Sequence, residues 1–132
     1  MQDQITMVKE FMQLFNQAIN KSPRNLSPQE YMMRFKIQDE ENTEYLEACA
    51  SSDLVGIADA LGDELYVLLG TILRHGMQDV IEKVFVEIHR SNLSKLDADG
   101  KPRYREDGKV LKGQRYFKPD RNAILIAHHT KD

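Results

Sequence analysis

The chain has 132 residues, 41% of them hydrophobic and 30% charged, with a formal net charge of −3. Such a composition suits one ordinary globular domain spanning residues 1–132. It excludes a disordered chain and argues against a nucleic-acid polymer as partner. The single cysteine, Cys49, excludes an internal disulfide framework, and no apolar run is long enough for a membrane span.

The first four residues, Met1-Gln2-Asp3-Gln4, lack the basic start and apolar stretch of a signal peptide, so the reducing cytoplasm is the expected location. Residues 4–19 predict an amphipathic helix, with Val8, Phe11, Met12, Phe15, Ala18 and Ile19 at the 3, 4, 7 spacing. Ser22-Pro23 punctuates the loop that follows. Ser27-Pro28-Gln29-Glu30 reads as a capping box with proline at the first helical position, opening a helix that runs to about Ala50. Phe35, Tyr45, Leu46 and Cys49 are its candidate core residues. Ser51-Ser52-Asp53 is a short break, with Ser52 or Asp53 as the next cap. The third helix runs from about Leu54 to His75, its apolar face made of Ile57, Leu61, Leu65, Leu68 and Ile72, and Gly76 stops it. Gly56, Gly62 and Gly70 inside it suggest close approach of a neighbouring backbone.

A fourth helix is expected over 78–96, with Ile81, Val84, Phe85 and Ile88 inward. The irregular segment 97–132 contains two turn signals, Asp99-Gly100 and Asp107-Gly108, that suit a small hairpin. Pro119-Asp120 can open a last short helix carrying Ile124, Leu125 and Ile126, and Thr130 to Asp132 reads as a frayed end. The fold class is therefore all-α, a four-helix-bundle-type core over about 4–96 with an irregular basic C-terminal segment. Leu54, Val55, Val67 and Leu69 fall outside the main apolar stripe, so a homo-oligomer, dimer or tetramer, is expected to complete the core.

The charge is unevenly placed. Glu40, Glu41, Glu44 and Glu47 line one face of the second helix, and Asp59 and Asp63 repeat the four-residue spacing on the third. Like charges at this spacing cost each helix roughly 0.2–0.5 kcal/mol per pair. Two such helices facing each other would add to the repulsion unless a cation sits between them. A hard divalent ion, Mg2+ with Mn2+ as the alternative, prefers oxygen ligands and converts that repulsion into binding. Downstream, residues 83–121 carry 11 Lys or Arg against 6 Asp or Glu. An acidic half followed by a basic half suits a polyphosphate ligand held through metal, whereas the bland reading is a solvated basic loop.

Read together, Glu40-Glu41-x-x-Glu44, a spacer, then Asp59-Ala60-Leu61-Gly62-Asp63 resembles the E-x-x-E … E-x-x-D pattern of the all-α NTP pyrophosphohydrolases. That superfamily includes the MazG-like, dimeric dUTPase and phosphoribosyl-ATP pyrophosphohydrolase groups. The resemblance extends through Tyr66-Val67-Leu68-Leu69-Gly70-Thr71, His89-Arg90-Ser91-Asn92-x-x-Lys95 and Asp107-Gly108-Lys109-Val110-x-Lys112-Gly113, and so covers residues 30–120. It implies Mg2+-dependent hydrolysis of a nucleoside triphosphate to the monophosphate and pyrophosphate. It further implies Glu41, Glu44 and Asp63 as metal ligands, and Glu40 as a further ligand or the base that activates water. Asn92 and Lys95 are implied to contact metal-bound phosphate, and Lys109 and Lys112 are further substrate-binding candidates. A strict E-x-x-D ending at Asp63 needs Glu at position 60, which is Ala60. Asp59 lies roughly 40° from Asp63 around the helix and can serve as the fourth ligand.

Other chemistries lack their residues. Gly100-Lys101 and Gly108-Lys109 miss the upstream glycine and following Ser/Thr of a P-loop, and Asp97-x-Asp99-Gly100 misses the closing Glu of an EF-hand. There is no Ser-centred elbow and no clustered His/Cys zinc set. His75 and His89 suit cap or surface positions, His128-His129 is weak metal-binding evidence, and Tyr116 or Phe117 suits stacking on a base or a place in the core. Two alternative functions stand beside the main one: phosphoribosyl-ATP pyrophosphohydrolysis, or a non-catalytic helical oligomer whose acidic groove binds a basic partner.

Overall fold

The computed structural model describes residues 1–129, with side chains as far as Leu125. Thr130 to Asp132, expected to fray, and the side chains of Ile126 and of His128-His129 lie outside the described residues. Five helices follow one another: α1 (Gln2–Leu14), α2 (Pro28–Ala50), α3 (Leu54–Arg74), α4 (Ile81–Leu93) and α5 (Arg121–His129). The protein is all-α. None of the helices among the described residues is long and apolar enough to cross a membrane. The chain forms two compact units, Met1–Asp79 and Val80–Asp132. The division falls before α4, so α4 groups with the segment that follows it.

In the first unit α3 is the central element, packing along α2 and against α1. Its core joins Ile5, Val8 and Met12 of α1 to Ala60, Leu69 and Leu73 of α3. Phe11 stacks on Phe15 at 4.4 Å and meets the Tyr66 ring edge-on at 5.8 Å. The helix α1 is shorter than its periodicity predicts. Asn16 turns left-handed at φ 58°, and Gln17 donates to the Met12 carbonyl at 2.8 Å, which closes the helix before Ala18 and Ile19. The same closure ends α2 at Ser52 (φ 55°, Asp53 N–H to Ala48 carbonyl 2.9 Å) and α3 at Gly76 (φ 68°, Met77 N–H to Ile72 carbonyl 3.0 Å).

Gly76 is needed for two reasons. Its positive φ suits a residue without Cβ, and a Cβ there would lie 2.1 Å from the Ser22 carbonyl oxygen. The loop containing Ser22 is tied to the end of α3. Arg24 donates its N–H to the His75 carbonyl at 2.9 Å, and the Arg74 guanidinium donates to the Ala18 carbonyl at 2.6 Å. The expected capping box is present: Glu30 N–H donates to Ser27 Oγ at 3.3 Å and Ser27 N–H to Glu30 Oε2 at 3.2 Å. Asp53 caps α3 by accepting from Gly56 N–H at 3.0 Å.

The expected core of α2 does not form. Phe35 and Leu46 are 62% and 66% exposed, Tyr45 sits at the surface, and Cys49 is an exposed thiol. The α3 stripe fares similarly, with Leu61, Leu65 and Leu68 about half exposed while Ala60, Leu69, Gly70 and Leu73 are buried. The cause is the seam between α2 and α3, which polar side chains occupy. Arg34 donates from Nε to Thr71 Oγ1 at 2.9 Å and from Nη2 to the Val67 carbonyl at 2.7 Å, and Gln38 donates to the Glu64 carbonyl at 3.1 Å. A Cβ on Gly70 would come within 2.7 Å of Arg34 Nη2, so that glycine is where the guanidinium lies down on α3. Gly62, in contrast, meets nothing within 4 Å, so the close approach expected there is absent.

At about 100° per residue, Phe35, Asn42, Leu46 and Cys49 share one flank of α2, roughly opposite Glu40 and Glu44. By the same arithmetic Leu54, Leu61, Leu65 and Leu68 share a flank of α3, opposite Asp59 and Asp63. An open cleft of about 300 Å³ on the Phe35 and Asn42 flank is lined by Phe35, Gln38, Asp39, Asn42 and Glu64.

In the second unit α4 begins at Ile81 and ends at Leu93, shorter at both ends than predicted. The expected hairpin reduces to a single antiparallel bridge, Tyr104 with Val110, around a turn at Gly108 (φ 85°). Arg105 N–H donates to the Lys109 carbonyl at 2.8 Å across that turn. Beyond that bridge, side chains join scattered backbone bonds in holding the unit. Ser91, 3% exposed, donates to the Phe117 carbonyl at 2.8 Å, and Phe117 N–H donates to Ser94 Oγ at 3.2 Å. Asp97 pairs with Arg103, and Arg90 lies over the Phe117 ring at 4.4 Å.

Candidate metal centre and active site

The acidic stripes of α2 and α3 meet. Among the described residues, Glu41, Glu44 and Asp63 each offer a carboxylate oxygen, and these oxygens all lie within 4.8 Å of one another. The helical spacing does the positioning. Glu41 and Glu44 are one turn apart on α2, and the seam that Arg34 and Gln38 fix sets Asp63 against them.

Glu41 is the most constrained of the three. It is half-buried, and its Oε2 is inaccessible to solvent and has no hydrogen-bond partner. Its carboxyl is pushed above the usual range, first by burial, then by the Glu44 carboxyl beside it, then by the negative charges of Glu44, Asp63 and Asp59. A buried carboxylate oxygen without a donor leaves a real desolvation cost. A divalent cation would remove the cost and the mutual repulsion together. The donor set, three carboxylates and nothing softer, fits a hard ion such as Mg2+.

The other expected site residues are placed as follows. Asp59 is exposed one turn before Asp63. Its charge acts on Glu41, but its carboxylate is not one of the three that converge. Glu40 is exposed on α2, next to Glu41 in sequence, and its carboxylate is not one of the three that converge. Asn92, Lys95, Lys109 and Lys112 all belong to the second unit. Asn92 is exposed in the last turn of α4, and half-buried Lys95 follows, its N–H on the Asn92 carbonyl at 3.2 Å. Lys109 is exposed on the Gly108 turn. Lys112 sets its ammonium 4.8 Å from the centre of the Tyr116 ring. His75 faces the Arg24 carbonyl through Nδ1 at 2.9 Å, a cap position, and His89 is exposed.

The sequence reading overlooked Arg34, Gln38 and Glu64. The first two align the acidic rows, and Glu64 Oε1 is a second carboxylate oxygen inaccessible to solvent and without a partner. A signal existed: Arg34, Gln38 and Glu41 follow the i, i+4, i+7 spacing of an inward face, written in polar residues.

The family model described as phosphoribosyl-ATP pyrophosphohydrolase matches residues 8–92. The crystal structure of a protein from Exiguobacterium sp. 255-15, described as a candidate NTP pyrophosphohydrolase, shares the fold. Its TM-score is 0.56 at 24% identity, over 97% of this chain and 96% of that one. No curated protein matches the chain. The matched span takes in α2, α3 and all three converging carboxylates, and the chain belongs to the phosphoribosyl-ATP pyrophosphohydrolase family of nucleotide pyrophosphohydrolases.

Proposed function

We propose that the protein hydrolyses a nucleoside triphosphate to the nucleoside monophosphate and pyrophosphate, with Mg2+ held by Glu41, Glu44 and Asp63. The single observation that carries this reading is the convergence of those three carboxylates around a buried, unpartnered Glu41 oxygen. Mg2+ bound there would neutralise charge on the phosphate oxygens and lower the pKa of a bound water. Asp59 adds negative charge beside the cluster and serves as the fourth ligand. Glu40 accepts the proton of the attacking water, whose oxygen bonds to the α-phosphorus while the α–β anhydride bond breaks and pyrophosphate leaves. Asn92, Lys95, Lys109 and Lys112 are the phosphate-contacting candidates. A homo-oligomer covers the apolar flanks of α2 and α3, and the enzyme acts on the nucleotide pool of the cytoplasm.

A second enzymatic reading, phosphoribosyl-ATP as substrate, is favoured by the description of the matching family. The test is a panel of NTPs, dNTPs and phosphoribosyl-ATP with purified protein and Mg2+. Monophosphate and pyrophosphate are the expected products, and the preferred substrate separates the two enzymatic readings. Orthophosphate would contradict the reaction. No product from any substrate would favour an interaction module whose acidic groove binds a basic partner.

A further inference from the structure

The second unit holds a concave site that the acidic cluster does not explain. A cleft of about 440 Å³ is lined by Ile88, Ser91, Asn92, Tyr116, Lys118, Pro119 and Arg121. No carboxylate lines it, in a chain that carries more Asp and Glu than Lys and Arg. Among the described residues neither Lys118 nor Arg121 is in an ion pair.

The walls are built, not incidental. Segment 113–120 is strapped at four points to α4 and the two residues that follow it. Gly113 N–H donates to the Lys95 carbonyl at 2.9 Å, and buried Ser91 Oγ donates to the Phe117 carbonyl at 2.8 Å. Phe117 N–H donates to Ser94 Oγ at 3.2 Å, and Asp120 N–H to Glu87 Oε1 at 3.0 Å. Arg90 is occupied by Glu87 and by the Phe117 ring, so it braces the strap and leaves Lys118 and Arg121 as the cations of the cleft. Glu87 is spent in the same way, its carboxyl held below its ordinary range by the Arg90 hydrogen bond and then by Asp120 N–H.

We propose that this cleft binds a phosphate group. Arg121 offers a planar fork and Lys118 a point charge, with the Asn92 amide and the Tyr116 hydroxyl as neutral donors. In naming a nucleotide or its pyrophosphate product as the source of that phosphate, the proposal rests on the pyrophosphohydrolase reading above. It also revises the list of phosphate-contacting candidates. Lys112 is engaged on Tyr116 and Lys109 sits on an outer turn, so Lys118 and Arg121 take their place beside Asn92.

The test is calorimetric titration of the full chain with inorganic pyrophosphate in EDTA, where the metal-free acidic cluster repels the probe. Wild type is expected to bind, more weakly as salt is raised. The Lys118→Ala/Arg121→Ala double variant should lose about tenfold or more in affinity. Lys83→Ala, an exposed α4 cation outside the cleft, should match wild type. Arg121→Lys should recover part of the loss. Equal affinity in the double variant and wild type, or no binding by wild type, overturns the proposal.

A nucleoside monophosphate as second probe separates the sources. Competition with pyrophosphate assigns the nucleotide's α-phosphate, and no competition assigns the β and γ phosphates. Either result supports a phosphate cleft. The two readings fail separately. Loss of pyrophosphate binding in the double variant with no NTP hydrolysed by wild type leaves the cleft standing and removes the proposed reaction. Normal hydrolysis with unchanged binding does the reverse.

Discussion

The α2–α3 pair has two unlike flanks, and the contrast shows how each side of a helix pair is left needing something. On one flank Glu41, Glu44 and Asp63 converge. On the other, Phe35, Leu46, Leu54, Leu61, Leu65 and Leu68 stay at the surface. Charge is incomplete on the first side and hydrophobic burial on the second. The seam between them is satisfied by its own hydrogen bonds from Arg34 and Gln38, so neither deficit is relieved within the pair. On the proposed reading a cation would answer the first deficit and a second copy of the chain the second.

The largest effect expected from breaking the contrast is on the acidic side. Glu44→Gln should cut turnover at least about 100-fold, since loss of a group that merely orients a metal ligand already reaches that size. Steady-state pyrophosphate release measures it. On the apolar side, Leu46→Asp with Leu61→Asp should shift the proposed homo-oligomer towards monomer in sedimentation equilibrium, because each would leave an unpaired carboxylate buried in the centre of that interface. Unchanged mass would mean that this flank is not the interface.

Gly76→Ala is the control that touches neither flank. It should cost about 2 kcal/mol or more of stability in denaturant unfolding, from the left-handed backbone together with the Ser22 carbonyl in the way of the new methyl group.

Smaller effects sharpen the contrast without metal. Removing one acidic charge by Glu44→Gln should raise metal-free stability by a few tenths of a kcal/mol, while Mg2+ should raise the melting temperature of wild type and not of the variant. The pH dependence has a definite sign. The Glu41 carboxyl is raised in the fold above its ordinary 4.5. Its contribution to metal-free stability is therefore fully present below that value and is lost as pH rises through the folded pKa. Glu30 is lowered, first by the Ser27 N–H, so its contribution is present above 4.5 and lost as pH falls through its folded value. Metal-free wild type should thus gain stability relative to Glu41→Gln as pH is lowered from neutral towards 4.5. An identical pH profile in the two proteins would remove Glu41 from its assigned environment.

Much of this was legible in the sequence where local chemistry decides. The Ser27 capping box, the Asp53 cap and the Gly76 stop are set by residues within a turn of one another, and all three form. That the acidic rows of α2 and α3 face each other was legible because a short connection makes the two helices neighbours, whereas the trio Glu41, Glu44 and Asp63 followed only from the family resemblance, since the four-residue spacing pairs Glu40 with Glu44 and Asp59 with Asp63. The core was less legible. Apolar periodicity marks a face that wants burial, yet it does not say whether this chain or another copy covers it, and Phe35 and Leu46 were misplaced for that reason. The Arg34–Gln38 seam is an inward face made of polar groups, which a search for apolar periodicity passes over. Asn16 ended α1 early because a left-handed residue other than glycine leaves little mark in a helical pattern.

The most direct test of the central claim is the metal dependence of pyrophosphate release from a nucleoside triphosphate, measured side by side for wild type and Glu44→Gln. The account predicts that EDTA abolishes release by wild type, that Mg2+ restores it, and that the variant stays inactive at every Mg2+ concentration while keeping its fold. Full activity of the variant, or release by wild type that is indifferent to divalent metal, would contradict it.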